Sequence, residues 1–267
     1  MWSRLIVLMT DFGYNDPFVG VMKGVIYKIN PHAKIIDLAH DIPKFDIRMG
    51  SFILRTSYRY FPRGSIFCCV VDPGVGTKRR PIIIRSRNYI FVGPDNGCMS
   101  WGAMDDGIVE VVEIIEERFM VKPVSTTFHG RDIFAPVSAY ISMGTPIHAF
   151  GPIIDPNSIV SAVFEEYRKC EDYYEVEVIG SDSFGNIFLS MPVGELEEDV
   201  GSVLTIDKGN LKWEARVSET FGEVPKGGLL ILKHTSHGYL EIAANMDSAT
   251  RILGVKPGER IRILRRH

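Results

Sequence analysis

Residues 4–10, Arg-Leu-Ile-Val-Leu-Met-Thr, form an apolar run that stops abruptly at Asp11-Phe12-Gly13. A buried parallel strand reads this way when it leaves its sheet at the carboxyl end. Phe18, Val19, Met22, Val25, Ile26 and Ile29 then recur at helical spacing. Asp16-Pro17 is read as the N-cap and first helical residue, and Asn30-Pro31 as the stop. The alternation continues with a strand over Lys34 to Leu38, a helix from Asp46 carrying Met49, Phe52, Ile53 and Tyr60, and a buried strand over Ser65 to Val71. Further strands are expected at 81–86, 89–93 and 108–115, and a helix near Asp132 with Ile133, Phe134, Val137, Tyr140 and Ile141 on one face runs to Gly144. Strand-helix alternation of this kind predicts an α/β domain with a mostly parallel sheet.

From Tyr173 the period changes. Tyr174, Val176 and Val178 alternate with Glu175 and Glu177, and later apolar runs are separated by turns such as Phe184-Gly185-Asn186 and Lys226-Gly227-Gly228. A period of two punctuated by glycine turns predicts an all-β half, a small antiparallel barrel or sandwich. The expected layout is an α/β domain over 1–160, a connector over 161–172 and the β domain over 173–267. From Arg251 onward, Arg251, Lys256, Arg260, Arg262, Arg265 and Arg266 face a single Glu259. No aromatic platform interleaves with them, so a solvated edge strand is favoured over an RNA-binding stripe.

Composition narrows the function. The 267 residues are 45% hydrophobic, and 30 basic against 33 acidic side chains leave a net charge of −3. That balance argues against a protein whose whole surface attracts nucleic acid or anionic lipid. The longest apolar stretches fall far short of the roughly eighteen residues that span a bilayer, and Leu5 to Met9 is too short for a secretory signal. No membrane or nucleic-acid partner is expected, and the location is read as cytoplasmic. Cys68, Cys69, Cys98 and Cys170 form no C-x-x-C pair, and the adjacent pair in an apolar run is read as core.

Dinucleotide, P-loop, zincin and nucleophile-elbow motifs are all missing from the sequence. A site without metal or cofactor is therefore expected, built where strands end. Three segments qualify. In Thr10-Asp11-Phe12-Gly13 the carboxylate either grips a vicinal diol such as ribose or caps the next turn. In Asp72-Pro73-Gly74-Val75-Gly76-Thr77-Lys78-Arg79-Arg80 an Asp enters a glycine-rich loop that lets it pair with Arg79, although a plain turn with exposed arginines fits as well. In Phe128-His129-Gly130-Arg131-Asp132 the imidazole precedes a helix start, which favours its neutral form.

Taken together with His40-Asp41-Ile42-Pro43, Gly93-Pro94-Asp95-Asn96-Gly97, Asp182-Ser183-Phe184-Gly185-Asn186 and Gly238-Tyr239-Leu240-Glu241-Ile242-Ala243, these segments resemble the S-adenosylmethionine hydrolases, also called hydroxide adenosyltransferases, relatives of the fluorinating and chlorinating enzymes. The resemblance runs through nearly the whole chain. It implies hydrolysis of S-adenosylmethionine to adenosine and methionine, with Asp72, Arg79 and His129 holding the attacking water. It implies ribose binding at Asp11, an aromatic wall at Phe45, adenine contacts at Asn186 and Phe221, and methionine contacts at Asp182 and Ser236. Phe128, Phe184, Ala244 and Met246 complete the implied substrate contacts. The fluorinating relatives carry tyrosine in place of the Asp and serine where this chain has Gly130, so hydrolysis is favoured over halide transfer. His237 stands where the halogenases have an arginine. A homotrimer with active sites at subunit interfaces is also implied. A halide-dependent synthase and a non-catalytic S-adenosylmethionine sensor are the alternatives.

Overall fold

The computed structural model describes residues 4–162, 164 and 167–265, and the chain divides into two compact units, Met1–Val163 and Phe164–His267. The first holds strands β1 (Leu5–Thr10), β2 (Lys34–Ala39), β3 (Ile66–Val70), β4 (Pro81–Ser86), β5 (Ile90–Pro94), β6 (Ile108–Glu113) and β7 (Ile153–Ile154). Helices α1 (Phe18–Ile29), α2 (Ile47–Ser57), α3 (Ser100–Asp106) and α4 (Ala135–Ser142) connect or flank them. These strands make one sheet in the order β2-β1-β3-β5-β4-β6-β7. Strands β2, β1, β3 and β5 pair in parallel, β4 runs antiparallel to both of its neighbours, and β7 runs antiparallel to β6. Five strands therefore share one direction, and the sheet is mostly parallel.

Both faces of the parallel strands are covered, which is why they read as unbroken apolar runs rather than alternating ones. Ile6, Leu8, Cys68 and Val70 point into a core shared with Met22 and Ile26 of α1 and Val137 and Ile141 of α4. On the other face Phe67 stacks on Phe91, which meets Tyr58 beyond the end of α2. Cys68, Cys69 and Cys98 are fully buried, and burial pushes the Cys68 and Cys98 thiols up to about 12, so these are core side chains.

Three expectations about this unit change. Asp46 does cap α2, its Oδ1 accepting the Met49 amide at 2.8 Å. Asp16 does not cap α1, however, because Pro17 sits at the cap position with helical dihedrals and no side-chain cap forms. The helix expected near Asp132 opens earlier, as a π-helical turn over Gly130–Phe134 that runs into α4. The run 81–86 is a strand, but the short Ser86–Tyr89 turn returns it antiparallel along β5, a direction that apolar periodicity does not encode.

The second unit holds β8 (Arg168–Lys169), β9 (Tyr173–Ser181), β10 (Ile187–Pro192), β11 (Val203–Lys208), β12 (Leu211–Ser218), β13 (Leu229–Leu232), β14 (Tyr239–Ala244), the short helix α5 (Ala249–Leu253) and β15 (Arg260–Leu264). Their order is β10-β14-β13-β12-β11-β15-β9, and a β9–β10 pairing closes it into a seven-stranded barrel with β8 appended to β9. All pairings are antiparallel except β12 with β13. Alternate residues such as Tyr174, Val176, Ile261 and Ile263 fill the interior. The basic C-terminal run is not an edge strand: β15 lies between β11 and β9. Arg260 and Arg262 approach Glu175 on the neighbouring strand, and Arg265 reaches Glu197 and Glu198. Acidic partners thus neutralise much of the stripe.

Close packing of β3 against β5 depends on Gly93, where a Cβ would stand 2.4 Å from the Cys69 carbonyl oxygen and 3.0 Å from Met99 Sδ. Gly93→Ala is expected to destabilise the first unit by at least the 1–3 kcal/mol typical of overpacking, roughly, read as a lower urea midpoint in equilibrium unfolding.

Candidate active site

The parallel strands deliver polar residues to one edge of the sheet. β1 leads to Asp11, β2 to His40, β3 to Asp72, and β5 to Asp95 and Asn96. Because Asp72 leaves a fully buried strand, its side chain is only 4% exposed, and that of Arg79 only 9%. Arg79 Nε donates to both Asp72 oxygens at 2.9 and 3.1 Å, and Nη2 also donates to Oδ2. The same Nη2 lies 2.7 Å from His129 Nδ1. A guanidinium only donates, so Nδ1 accepts and the neutral ring carries its proton on Nε2. Carboxylate, guanidinium and imidazole, distant in the chain, thus form one chain of contacts.

Arg79 is also dry. Its Nη1 is buried without a hydrogen-bond partner among the described residues, and the guanidinium carbon lies 5.3 Å from the centroid of the Phe134 ring. A cation held against an aromatic face and away from water acts strongly on its neighbours. The His129 pKa accordingly falls below its ordinary value. Burial is the main cause and the Arg79 charge the second, while Asp72 and Asp132 pull the other way. The helix terminus invoked from sequence is not the dominant cause. Phe134 reads in sequence only as one more apolar position on a helix, so its contact with Arg79 was not foreseen.

Two loops must meet for this contact to exist. Gly76, at φ 75°, lies so close to Thr126 that a Cβ would stand 2.2 Å from the Thr126 carbonyl oxygen. The Asp72 loop is thereby pressed against the segment leading to His129. Asp132, fully buried, fixes that segment by accepting the Ser125 amide and two Arg131 nitrogens. Gly130 is equally confined, since a side chain there would begin 3.2 Å from Met22 Sδ and 3.4 Å from Phe128 and Val70.

Asp11, 6% exposed, accepts the Phe45 amide through Oδ2 at 2.8 Å. Phe45 is 69% exposed and holds φ at 66°, a conformation rarely adopted by a bulky residue. Phe128 packs edge to face with Phe12 and Phe18. In the second unit Phe184, Asn186, Phe221, Ala244 and Met246 line one cavity of about 530 Å³ together with Asn245 and Asp247. Asp182 accepts the Phe184 and Asn186 amides and the Asn186 side-chain nitrogen, so both of its oxygens serve the turn. A carboxylate only accepts, which orients the Asn186 amide and leaves its oxygen available to a donor. Ser236 is not in that cavity; it is exposed on the loop before β14, whereas Ala244 and Met246 lie at and beyond that strand's far end. His237 Nε2 lies 3.0 Å from Glu241, and Nδ1 accepts the Tyr239 amide. Among the described residues, no group of three or more His, Cys, Asp or Glu side chains is arranged to hold a metal ion.

An α/β unit with this Asp-Arg-His group, followed by a small barrel carrying an aromatic cavity, defines a class by sequence as well. Residues 6–151 match the SAM hydroxide adenosyltransferase N-terminal domain and residues 176–262 its C-terminal domain, and the chain belongs to that family. It is 37% identical to the (R)-S-adenosyl-L-methionine hydrolase of Salinispora tropica, covering 97% of each chain, and 33% identical to that of Thermus thermophilus, covering 98% of this chain and 100% of the other. A fluorinase from Nocardia brasiliensis is more distant, at 24% identity over 97% of this chain and 96% of its own. An uncharacterized conserved protein from Thermotoga maritima has the same fold, with a TM-score of 0.92 at 37% identity over 98% of this chain and 100% of its own.

Gly76→Ala should press the Asp72 loop away from Thr126 and so separate Arg79 from His129 while leaving the Asp72, Arg79 and His129 side chains chemically intact, lowering turnover on the order of 10²-fold, as about 1 Å of misplacement can do. In the intact protein, NMR titration of the His129 ring should give a midpoint below the ordinary imidazole value of about 6.5. In the window between the two values the unfolded chain binds more protons, so stability should rise with pH there and fall as pH drops through it.

Proposed function

We propose that the protein hydrolyses S-adenosylmethionine to adenosine and methionine. The observation that carries this reading is the bridge from Asp72 through Arg79 to His129 at the carboxyl edge of the parallel strands. Water attacks the ribose C5′ carbon in line with the sulfonium. The oxygen–carbon bond forms as the carbon–sulfur bond breaks, methionine leaves as a neutral thioether, and one proton is released. Water is a poor nucleophile with a pKa of about 15.7, so its proton must be taken as it attacks.

The hydrogen-bond directions distribute the roles. His129 spends Nδ1 on Arg79, so the ring offers Nε2–H to a water lone pair rather than acting as the base. Asp72 is then the proton acceptor, retaining a lone-pair site beyond those given to Arg79. Arg79 orients both groups, and its desolvated charge favours a developing hydroxide. A sulfonium and a nascent hydroxide neutralise each other as the bond forms, so orientation is the larger contribution, worth roughly 7–11 kcal/mol against about 10²–10⁴-fold from proton transfer.

Asp11 is the ribose-binding residue, with Phe45 and Phe128 as apolar walls. The cavity lined by Phe184, Asn186, Phe221, Ala244 and Met246 suits adenine, because the Asn186 oxygen can accept from an exocyclic amine between aromatic faces. Ser236 belongs to the methionine end, and Asp182 acts through the turn that presents Asn186. The names of the relatives favour the (R) sulfonium as the preferred isomer. The active form is a homotrimer with active sites at subunit interfaces, and the location is cytoplasmic. Cysteines 68, 69, 98 and 170 are unpaired, which suits a reducing compartment.

Purified protein incubated with each sulfonium isomer should release adenosine catalytically, from the (R) form faster, as scored by chromatography. Asp72→Asn, which keeps the shape and one acceptor oxygen for Arg79 but removes the charge, should abolish turnover while adenosine affinity by calorimetry stays within about tenfold, a difference of roughly 1.4 kcal/mol. Asp72→Ala should also unfold more readily, by about 3–5 kcal/mol, the usual loss when one partner of a buried ion pair is removed. Asp72→Asn turning over at the wild-type rate would remove Asp72 from the mechanism. Light scattering of the intact protein should give three times the chain mass.

A further inference from the structure

The loop from Asp72 to Arg79 turns on itself through Val75 N to Asp72 O at 3.2 Å, Thr77 N to Gly74 O at 3.1 Å and Thr77 Oγ1 to Gly74 O at 2.7 Å, and the Asp72–Arg79 bridge joins its ends. Both ends are also held by residues that follow another strand. At the end of β5, Pro94 has no N–H with which to extend the ladder toward β3. Asn96 supplies a donor there: its Nδ2 donates to Val71 O at 2.8 Å, the carbonyl next to Asp72, while its Oδ1 accepts the Cys98 amide at 3.1 Å. The preceding residue grips the other end of the loop. Asp95 N donates to Arg80 O at 2.8 Å, and its carboxylate, 4% exposed, accepts Arg80 Nε at 2.9 Å and Nη2 at 2.6 Å. Arg80 follows Arg79 directly, so two consecutive residues bracket the segment that carries both the carboxylate and the guanidinium.

The grip is itself anchored. Asp95 Oδ1 accepts the Val160 amide at 2.8 Å, and Arg80 Nη2 donates to Ser158 O at 2.7 Å. The segment after β7 thus acts as a brace behind the loop. We propose that Asp95 and Asn96 are positioning residues for hydrolysis, a two-point clamp that fixes the separation of Asp72 and Arg79 so that the guanidinium reaches His129. This inference rests on the reading of Asp72, Arg79 and His129 as the group that holds water. Neither clamp residue touches a reacting atom; both act through the backbone of the loop. A buried bidentate bridge requires this, because a shift of either loop end lengthens contacts that are worth little once bent or stretched.

The test combines turnover with a readout that needs no turnover. Asn96→Ala and Asn96→Asp remove the donor to Val71 O, the latter keeping the acceptor for the Cys98 amide; Arg80→Gln removes the ion pair with Asp95 at a side chain that is 29% exposed, leaving the backbone bond from Asp95 N to Arg80 O. Burial first and the Arg79 charge second hold the His129 pKa down, while Asp72 and Asp132 raise it, so retreat of Arg79 is expected to move the ring's NMR titration toward higher pH. The expected result for all three variants is that upward shift, together with kcat lower by as much as about 10²-fold and KM little changed. If His129 titrates as in the wild type and activity falls only with the folded fraction, Asp95 and Asn96 merely stabilise the fold and the clamp is wrong. Should Asn96→Ala fail to fold, Arg80→Gln decides the question alone. Wild-type protein that releases no adenosine would end the hydrolase reading, and the His129 titration in the variants would still decide whether the clamp exists.

Discussion

The first unit is organised around a largely buried guanidinium. Arg79 lies between the Asp72 carboxylate and the His129 imidazole with one face toward Phe134. Removing such a charge from solvent is expensive, and the carboxylate's attraction offsets that only when the geometry is close and the hydrogen bonds are made. Much of the surrounding architecture serves that requirement. The fully buried β3 delivers Asp72 from a rigid edge, Gly76 brings two loops into backbone contact, and Asp132 ties down the segment that ends at His129. For the proposed hydrolysis the same burial would be useful, because fixed charges screened from solvent need little reorganisation when a charge develops beside them.

Strain marks other positions of interest. Phe45 and Met246 are the two non-glycine residues with positive φ among the described residues, and both are strongly exposed. A bulky side chain kept in that conformation and facing solvent is maintained by its surroundings rather than by its own preference. For Phe45 the restraint is visible in the Asp11 carboxylate, which holds its amide. In the barrel, the Asp182 carboxylate does comparable work by fixing which way the Asn186 amide points into the cavity. In both units an acidic residue read from sequence as a ligand contact also shapes the loop that presents its neighbour.

Legibility in the sequence followed the type of interaction. The strands of the parallel core were readable because burial on both faces forces unbroken apolar runs, and the barrel because burial on one face forces alternation. The pairing of Asp72 with Arg79 could be anticipated from a short glycine-rich span. Spacing alone could not join His129 to them, because fifty residues of chain separate it from Arg79; the resemblance of the motifs did. The antiparallel return of β4 and the interior place of β15 were hidden, since periodicity specifies which face a residue occupies and not which strand lies beside it. Phe134 looked like one more core residue, and Asp95 and Asn96 belonged to a motif with no role read for them, because what sets them apart is the identity of their partners.

The sequence by itself determined the two kinds of layer, the edge of the sheet on which polar residues would gather and, through its motifs, the family's chemistry. Those follow from local periodicity, from where apolar runs end, and from residue types at fixed spacing. Only the tertiary structure decided that the guanidinium donates to the imidazole and so fixes its tautomer, that it lies against an aromatic face, and that residues following β5 contact the loop at both ends. Those facts depend on distances between segments far apart in the chain, and such distances are set when the sheet and its loops pack together.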